Sequence, residues 1–165
     1  ELYLELKGFK WKEVPEDHWI MKNVEPNLWW NRFGHERYEL QIGHERLTWG
    51  RASAKQAASC ILRFVSDHTQ GLHPTRPEFY GYFADYDWVV LCQLFGRMVD
   101  LPKGFPYFCM DLKQMMEERG LTERGLTKEW KQTACPAPIG EHNALVDARW
   151  NMALYKAIVE HKMQP

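Results

Sequence analysis

The sequence predicts a mixed α/β fold, and three observations predict it. Leu2, Leu4 and Leu6 alternate with Glu1, Tyr3 and Glu5, the period of a half-buried strand. Ala57, Ile61, Phe64 and Val65 recur at the period of a helix with one apolar stripe. From residue 78 onward, short aromatic or apolar runs alternate with longer helical ones in the order strand, helix, strand, helix, helix.

Length and composition set the frame. The chain has 165 residues, 45% of them hydrophobic and 26% charged, which suits one folded domain spanning 1–165 rather than a disordered segment. No apolar stretch approaches the ~20 residues that cross a bilayer, and no signal-peptide pattern opens the chain, so a soluble protein without membrane association is expected. Cys60, Cys92, Cys109 and Cys135 are far apart and include no Cys-x-x-Cys pair. A structural zinc site is therefore not expected, and free thiols point to a reducing, cytoplasmic compartment. The net charge of -1 carries no global basic footprint, which excludes a protein that coats nucleic acid by charge alone. It leaves room for an enzyme that grips a few nucleotides.

The elements follow in order. Glu1–Lys7 reads as a strand. Residues 8–48 are irregular and rich in Trp, His, Asn and Pro, with a short helix expected over Val24–Trp30. Within them Gly34-His35-Glu36-Arg37 recurs as Gly43-His44-Glu45-Arg46, and two copies do not make a repeat protein. Position 39 is Glu, so His-Glu-x-x-His is not completed and a zinc-protease reading fails. Ala52–Ser66 reads as a helix that Ser53 can cap. Glu78–Phe83 reads as a strand, followed by a helix through Met98 with Val90, Leu91, Leu94 and Phe95 inward. Pro106–Leu112 reads as a second short strand and Leu112–Arg119 as a helix stopped by Gly120. Residues 120–141 read as a polar loop. His142–Lys162 reads as the last helix, with Leu145, Ala148, Met152, Tyr155, Ile158 and Val159 inward.

Three residues carry candidate chemistry. His142 follows the breaker run Cys135-Pro136-Ala137-Pro138-Ile139-Gly140 and falls at the edge of a helix. Asp147, five residues on, lies one turn inside that helix between Val146 and Ala148. Asp87 stands in the first turn after a strand, where open α/β sheets place their sites and where the helix dipole favours a carboxylate. Asp85 competes with it, and the run Trp88-Val89-Val90-Leu91 commits Asp87 to the helix. Carboxylates that hold a metal beside a histidine that takes a proton from water suit metal-assisted phosphodiester hydrolysis.

Those residues carry a family resemblance. Tyr86-Asp87-Trp88-Val89-Val90-Leu91-Cys92-Gln93-Leu94-Phe95-Gly96 and His142-Asn143-Ala144-Leu145-Val146-Asp147-Ala148-Arg149 resemble the second and third motifs of DEDDh 3′–5′ exonucleases. The chain is similar in particular to the exoribonuclease AS group, polyadenylate-directed relatives of ribonuclease T. Weaker similarity covers Glu1-Leu2-Tyr3 and Phe108–Met116. Position 143 is Asn where the tyrosine subtype would carry Tyr. The resemblance implies a ribonuclease H-like fold, a mixed central β-sheet flanked by α-helices. It also implies a first motif, Asp-x-Glu, on an initial strand. Glu1–Leu6 contains no Asp, so the exonuclease domain is expected to lack that N-terminal strand here, a piece of roughly 15–20 residues at ordinary strand and loop lengths.

By the same resemblance, two Mg²⁺ or Mn²⁺ ions would clamp the attacking and leaving oxygens of an in-line displacement. Asp147 and Asp87 would be metal ligands and His142 the general base. The substrate would be the 3′ end of single-stranded RNA or DNA, and the product a nucleoside 5′-monophosphate. Phe83, Tyr86 and Trp88 surround Asp87 and are candidates to stack terminal bases, or else to be core. Lys10, Lys12, Arg37, Arg46, Arg51 and Lys55 are candidates to grip phosphates. Relatives of this kind form homodimers, for which residues 8–48 offer a candidate interface. The competing reading is a catalytically inactive nucleic-acid-binding or scaffolding domain of the same fold.

Overall fold

A computed structural model of the chain describes residues 2–6, 11–28, 37–42, 45–69, 76–121, 127–139 and 142–161. The class is mixed α/β, with five strands and six α-helices among the described residues. They form two compact units, one of residues 1–75 with 142–145 and one of residues 76–141 with 146–165.

The first unit is built on a three-stranded sheet of β1 (Leu2–Leu6), β2 (Arg37–Ile42) and β3 (Glu45–Ala52). β3 is central. β1 runs parallel to it, from Leu2 beside Thr48 to Leu6 beside Ala52, and β2 runs antiparallel, from Ile42 beside Glu45 to Arg37 beside Gly50. The parallel pair needs a crossover, which residues 7–44 supply and which contains α1 (Trp19–Asn23). The Gly-His-Glu-Arg copies lie largely outside the described residues, as do Lys10 and the end of the helix expected over Val24–Trp30. That region instead forms α1, capped by the His18 ring on Ile20 N at 3.2 Å, and a 3-10 turn over Glu25–Asn27.

α2 (Ala54–Thr69) leaves β3 through Ser53 and packs back on β1 and β3. A reciprocal capping box starts it: Gln56 N donates to Ser53 Oγ at 3.3 Å and Ser53 N donates to Gln56 Oε1 at 2.9 Å. The half-buried strand is present, with one addition on its other face. Leu2 and Leu4 are half-buried, whereas Glu5, on the opposite face, is buried and has polar company.

The second unit holds β4 (Tyr80–Gly81) and β5 (Met110–Asp111), paired in parallel. Its helices are α3 (Ala84–Phe95), α4 (Leu112–Glu118), α5 (Thr127–Ala134) and α6 (Ala144–Glu160), whose first two residues belong to the first unit. Leu112, Met116, Leu121, Cys135, Leu154 and Ile158 form the core, with Tyr80, Tyr82, Trp130, Trp150 and Tyr155 packed around it. Gly120 takes φ +70 after α4, Leu121 N reaches Met116 O at 2.8 Å and Gly120 N reaches Glu117 O at 2.9 Å. That is a Schellman motif, and it seats Leu121 in the core against Met116. The Arg119 guanidinium donates to the carbonyls of Val159 and His161, closing the end of α6.

Several expectations are corrected. Both strands of this unit are two residues long, shorter than the runs read from sequence. α3 ends at Phe95, at Gly96 with φ +113, and not at Met98. Val90 is exposed while Cys92 and Ala84 are buried. Residues 120–141 include a helix, α5, anchored by Trp130 at the core. On α6 the inward stripe is Asp147, Trp150, Asn151, Leu154, Tyr155 and Ile158; Ala148, Met152 and Val159 face outward. Apolar residues lie on both sides of this helix, so periodicity alone does not say which side is covered.

Candidate active site

β4 and β5 end side by side, with Tyr80 beside Met110 and Gly81 beside Asp111, and each strand leads into a helix. Two helix N-termini therefore meet at the carboxyl edge of a parallel pair, the position at which open α/β sheets carry their sites. Asp111 is the N-cap of α4: its Oδ1 accepts from Lys113 N at 2.7 Å and Gln114 N at 3.1 Å. Its Oδ2 accepts from Ala84 N, the first residue of α3, at 2.7 Å. α3 has no side-chain cap of its own, and its N-cap residue Phe83 is left-handed, at φ 56 and ψ 50. For a bulky aromatic this backbone is costly, and it persists because the surroundings impose it. Gly81 packs closely here: a Cβ on it would come within 3.1 Å of Ala84 Cβ, and the neighbour would have to give by a few tenths of an ångström.

Asp85 and Asp87 lie in the first turn of α3, in the favourable end of the helix dipole. Asp87 is reachable from solvent, yet enough protein surrounds its carboxyl group to push its pKa above the ordinary value by desolvation. Cys109 shares this neighbourhood. Burial, reinforced by the negative charges of Asp111, Asp87 and Asp85, pushes its thiol up to about 11, so it stays a neutral thiol at physiological pH. Phe83 and Tyr86 stand exposed, Tyr86 at 81%. Trp88 differs: its ring packs on Phe79, centroids 5.2 Å apart, and its indole N–H is buried without a hydrogen-bond partner.

Asp147 is the fourth residue of α6, half-buried, and lies on that helix's inward stripe in the same unit as Asp87. Upstream, Trp150 Nε1 donates to Cys135 O at 3.3 Å and Pro136 O at 3.0 Å, tying the breaker run to α6.

His142 belongs with the first unit. It is exposed, has φ 70, and its ring stands edge-on to Trp19 with centroids 4.8 Å apart. It does not cap the helix. Asn143 does, accepting from Leu145 N at 3.1 Å while its amide donates to Asn27 O at 2.8 Å. Capping by Asn143 leaves the His142 imidazole available for other work.

The structure thus gathers Asp85, Asp87, Cys109 and Asp111 in one place. Reasoning from sequence missed Asp111 and Cys109 as members. Asp111 had a signal: an Asp directly before the apolar-periodic run Leu112-Lys113-Gln114-Met115-Met116 is an N-cap pattern. Asp87 and Asp147 are hard oxygen donors of the kind Mg²⁺ and Mn²⁺ prefer. Among the described residues no three His, Cys, Asp or Glu side chains converge to hold a metal, so these two would form only part of a two-metal ligand set.

Two comparisons bear on this arrangement. The chain is similar to a 3′–5′ exoribonuclease of Mycobacterium tuberculosis, Rv2179c in strain H37Rv, at 36% identity over 81 residues, which is 49% of this chain and 42% of that protein. The counterpart in strain CDC 1551 matches over the same share at the same identity. In both, the matched stretch spans less than half the length of the relative. The profile of the 3′–5′ exoribonuclease Rv2179c-like domain matches residues 16–159, which include Asp87, Asp111, His142 and Asp147. The chain belongs to the Rv2179c-like 3′–5′ exoribonuclease domain family.

Proposed function

We propose that this protein is a metal-dependent 3′–5′ exoribonuclease that trims single-stranded RNA from its 3′ end and releases nucleoside 5′-monophosphates. The observation that carries the reading is the family match across residues 16–159, with both motifs inside it. The finer assignment, DEDDh type on a ribonuclease H-like scaffold, rests on His142 and Asp147 at a spacing of five and on Asp87 one turn into its helix.

The roles follow from the chemistry of the groups. Asp87 and Asp147 would hold Mg²⁺ or Mn²⁺, and the metals when bound would activate water and stabilise the phosphoryl charge. Partial desolvation of Asp87 strengthens its attraction to a cation, because the neighbouring dielectric is lower than in water. The His142 imidazole would accept the proton of the attacking water. Phe83 and Tyr86, both exposed, would stack the terminal bases; Trp88 would support them from its packed position on Phe79. The four cysteines are free, which suits a reducing compartment such as the cytoplasm. No described helix is long and apolar enough to cross a membrane.

The test is trimming of 5′-labelled single-stranded RNA and DNA with Mg²⁺, with EDTA, and with His142→Ala, using this chain and a version extended upstream. The expected result is metal-dependent laddering of RNA that the substitution removes. Binding without laddering from either version would overturn the enzymatic reading and leave the silent nucleic-acid-binding domain.

A further inference from the structure

We infer that Asp111 is a positioning residue for Asp87: one carboxylate ties the starts of α3 and α4 together at the carboxyl ends of β4 and β5. The inference rests on the exonuclease reading above and names a residue outside the two motifs.

An ordinary helix cap needs one acceptor atom. Ser53 Oγ meets Gln56 N, and Asn143 Oδ1 meets Leu145 N. Asp111 uses Oδ1 in that way, on Lys113 N and Gln114 N. Its second oxygen accepts from Ala84 N, 27 residues away in sequence, at 2.7 Å. That length is the one expected of a charge-assisted bond, stronger than a neutral one. The carboxylate therefore sits at two helix N-termini at once, where two macrodipoles favour its charge.

α3 has no side-chain cap of its own beside this bond. Its N-cap residue, Phe83, offers no side-chain oxygen and holds a left-handed backbone. The Ala84 N–H is one of the groups a helix start leaves unsatisfied, and Asp111 is what meets it. Asp87 lies three residues beyond Ala84, within the same turn. A shift at Ala84 is therefore carried almost undiminished to Asp87, because one helical turn moves as a unit. Gly81 against Ala84 closes the other side of the same joint. The distance from Asp111 to the chemistry is one hydrogen bond and one turn of helix.

The test compares two variants of the full protein. Asp111→Ser keeps a cap oxygen for α4 and lacks a second one for Ala84. Asp111→Asn keeps the shape but can present an N–H donor to the Ala84 N–H. Amide hydrogen exchange of assigned residues is read at Ala84–Asp87 and at Leu112–Met116, together with kcat, KM and the Mn²⁺ concentration for half-activation. Exchange is expected to rise at Ala84–Asp87 in both variants and to stay near wild type at Leu112–Met116 in Asp111→Ser. kcat is expected to fall roughly tenfold to a hundredfold, the scale of a displacement of about 1 Å. KM for the oligonucleotide should change little, and half-activation should need more Mn²⁺. Unchanged exchange at Ala84 in both variants would overturn the tether. Raised exchange with unchanged kcat would overturn its catalytic role. Failure of the unsubstituted protein to trim RNA in any metal would overturn the exonuclease reading instead, and that outcome is separate because it concerns the wild-type chain.

Discussion

Two helix starts carry the candidate carboxylates, and they solve one problem in opposite ways. α3 bears Asp87 and α6 bears Asp147, each in its first turn. Each follows a non-glycine residue in the left-handed region, Phe83 and His142. Each must satisfy backbone N–H groups that the helix itself cannot. α6 does so locally: the amide oxygen of Asn143 accepts from Leu145 N, two residues on. α3 does so at a distance, through the carboxylate of Asp111. The local solution is a pattern of neighbouring residues. The distant one exists only once β4 and β5 have paired.

The contrast can be broken first at its left-handed residues, and the largest effect is expected at His142. Asn tolerates φ +70 about as well as any side chain other than glycine's hydrogen. His142→Asn should therefore leave unfolding free energy within about 0.5 kcal/mol of wild type. It removes the proposed base, and RNA trimming should fall by about 10²–10⁴-fold. Equal rates for variant and wild type would assign His142 to architecture alone.

The two caps come next. Asp111→Ala removes the acceptor of three backbone N–H groups, two of them at 2.7 Å. With charge-assisted bonds lost, the cost should be about 3 kcal/mol in urea unfolding. Asn143 is buried, and Asn143→Ala removes a cap and the bond to the Asn27 carbonyl. A loss of about 2 kcal/mol is expected, roughly half from each bond. The ranking is the sharp part. A larger loss at Asn143 than at Asp111 would mean that the Asn143 side chain, not the Asp111 carboxylate, is the main support of these helix starts.

How much of this was legible follows from how local each device is. The capping box of α2 lies within Ser53–Gln56, and the motif residues of α3 and α6 lie within single turns, so spacing alone exposes them. Asp111 also reads as a cap, but its bond to Ala84 depends on strand pairing and leaves no mark in nearby sequence. The strand of Leu2, Leu4 and Leu6 was readable as half-buried, and Leu2 and Leu4 are, yet alternation does not reveal that Glu5 on the opposite face is buried too. α6 shows the same limit: Leu154 and Ile158 are buried and Met152 and Val159 exposed, although all four are apolar. β4 and β5 are too short for any period to register. α5 is hidden in a polar stretch because a single aromatic, Trp130, holds it to the core. The arrangement of strands in the second half is mixed α/β as expected, while the hydrogen bonding among described residues makes two sheets, not one.

The smallest effect concerns Asp87 itself, and its sign is the informative part. Desolvation raises its pKa in the folded chain above the ordinary carboxylate value. The native state therefore binds this proton more tightly than the unfolded state does, and stability contributed by the group is lost as pH rises through that window. At neutral pH without metal, an ionised Asp87 is a mild burden on the fold. Asp87→Asn should raise the melting temperature slightly in EDTA at pH 7. The gain should shrink on acidification and vanish once the pH is below the ordinary carboxylate range, where the wild-type group is protonated in both states. Adding Mn²⁺ should reverse the order, because a ligand that binds only the native state stabilises the wild type and not the variant. A gain that persists in acid would trace the effect to packing and not to charge. A wild type that Mn²⁺ does not stabilise would remove Asp87 from the metal-ligand set, while leaving the Asp111 tether to be judged by exchange at Ala84.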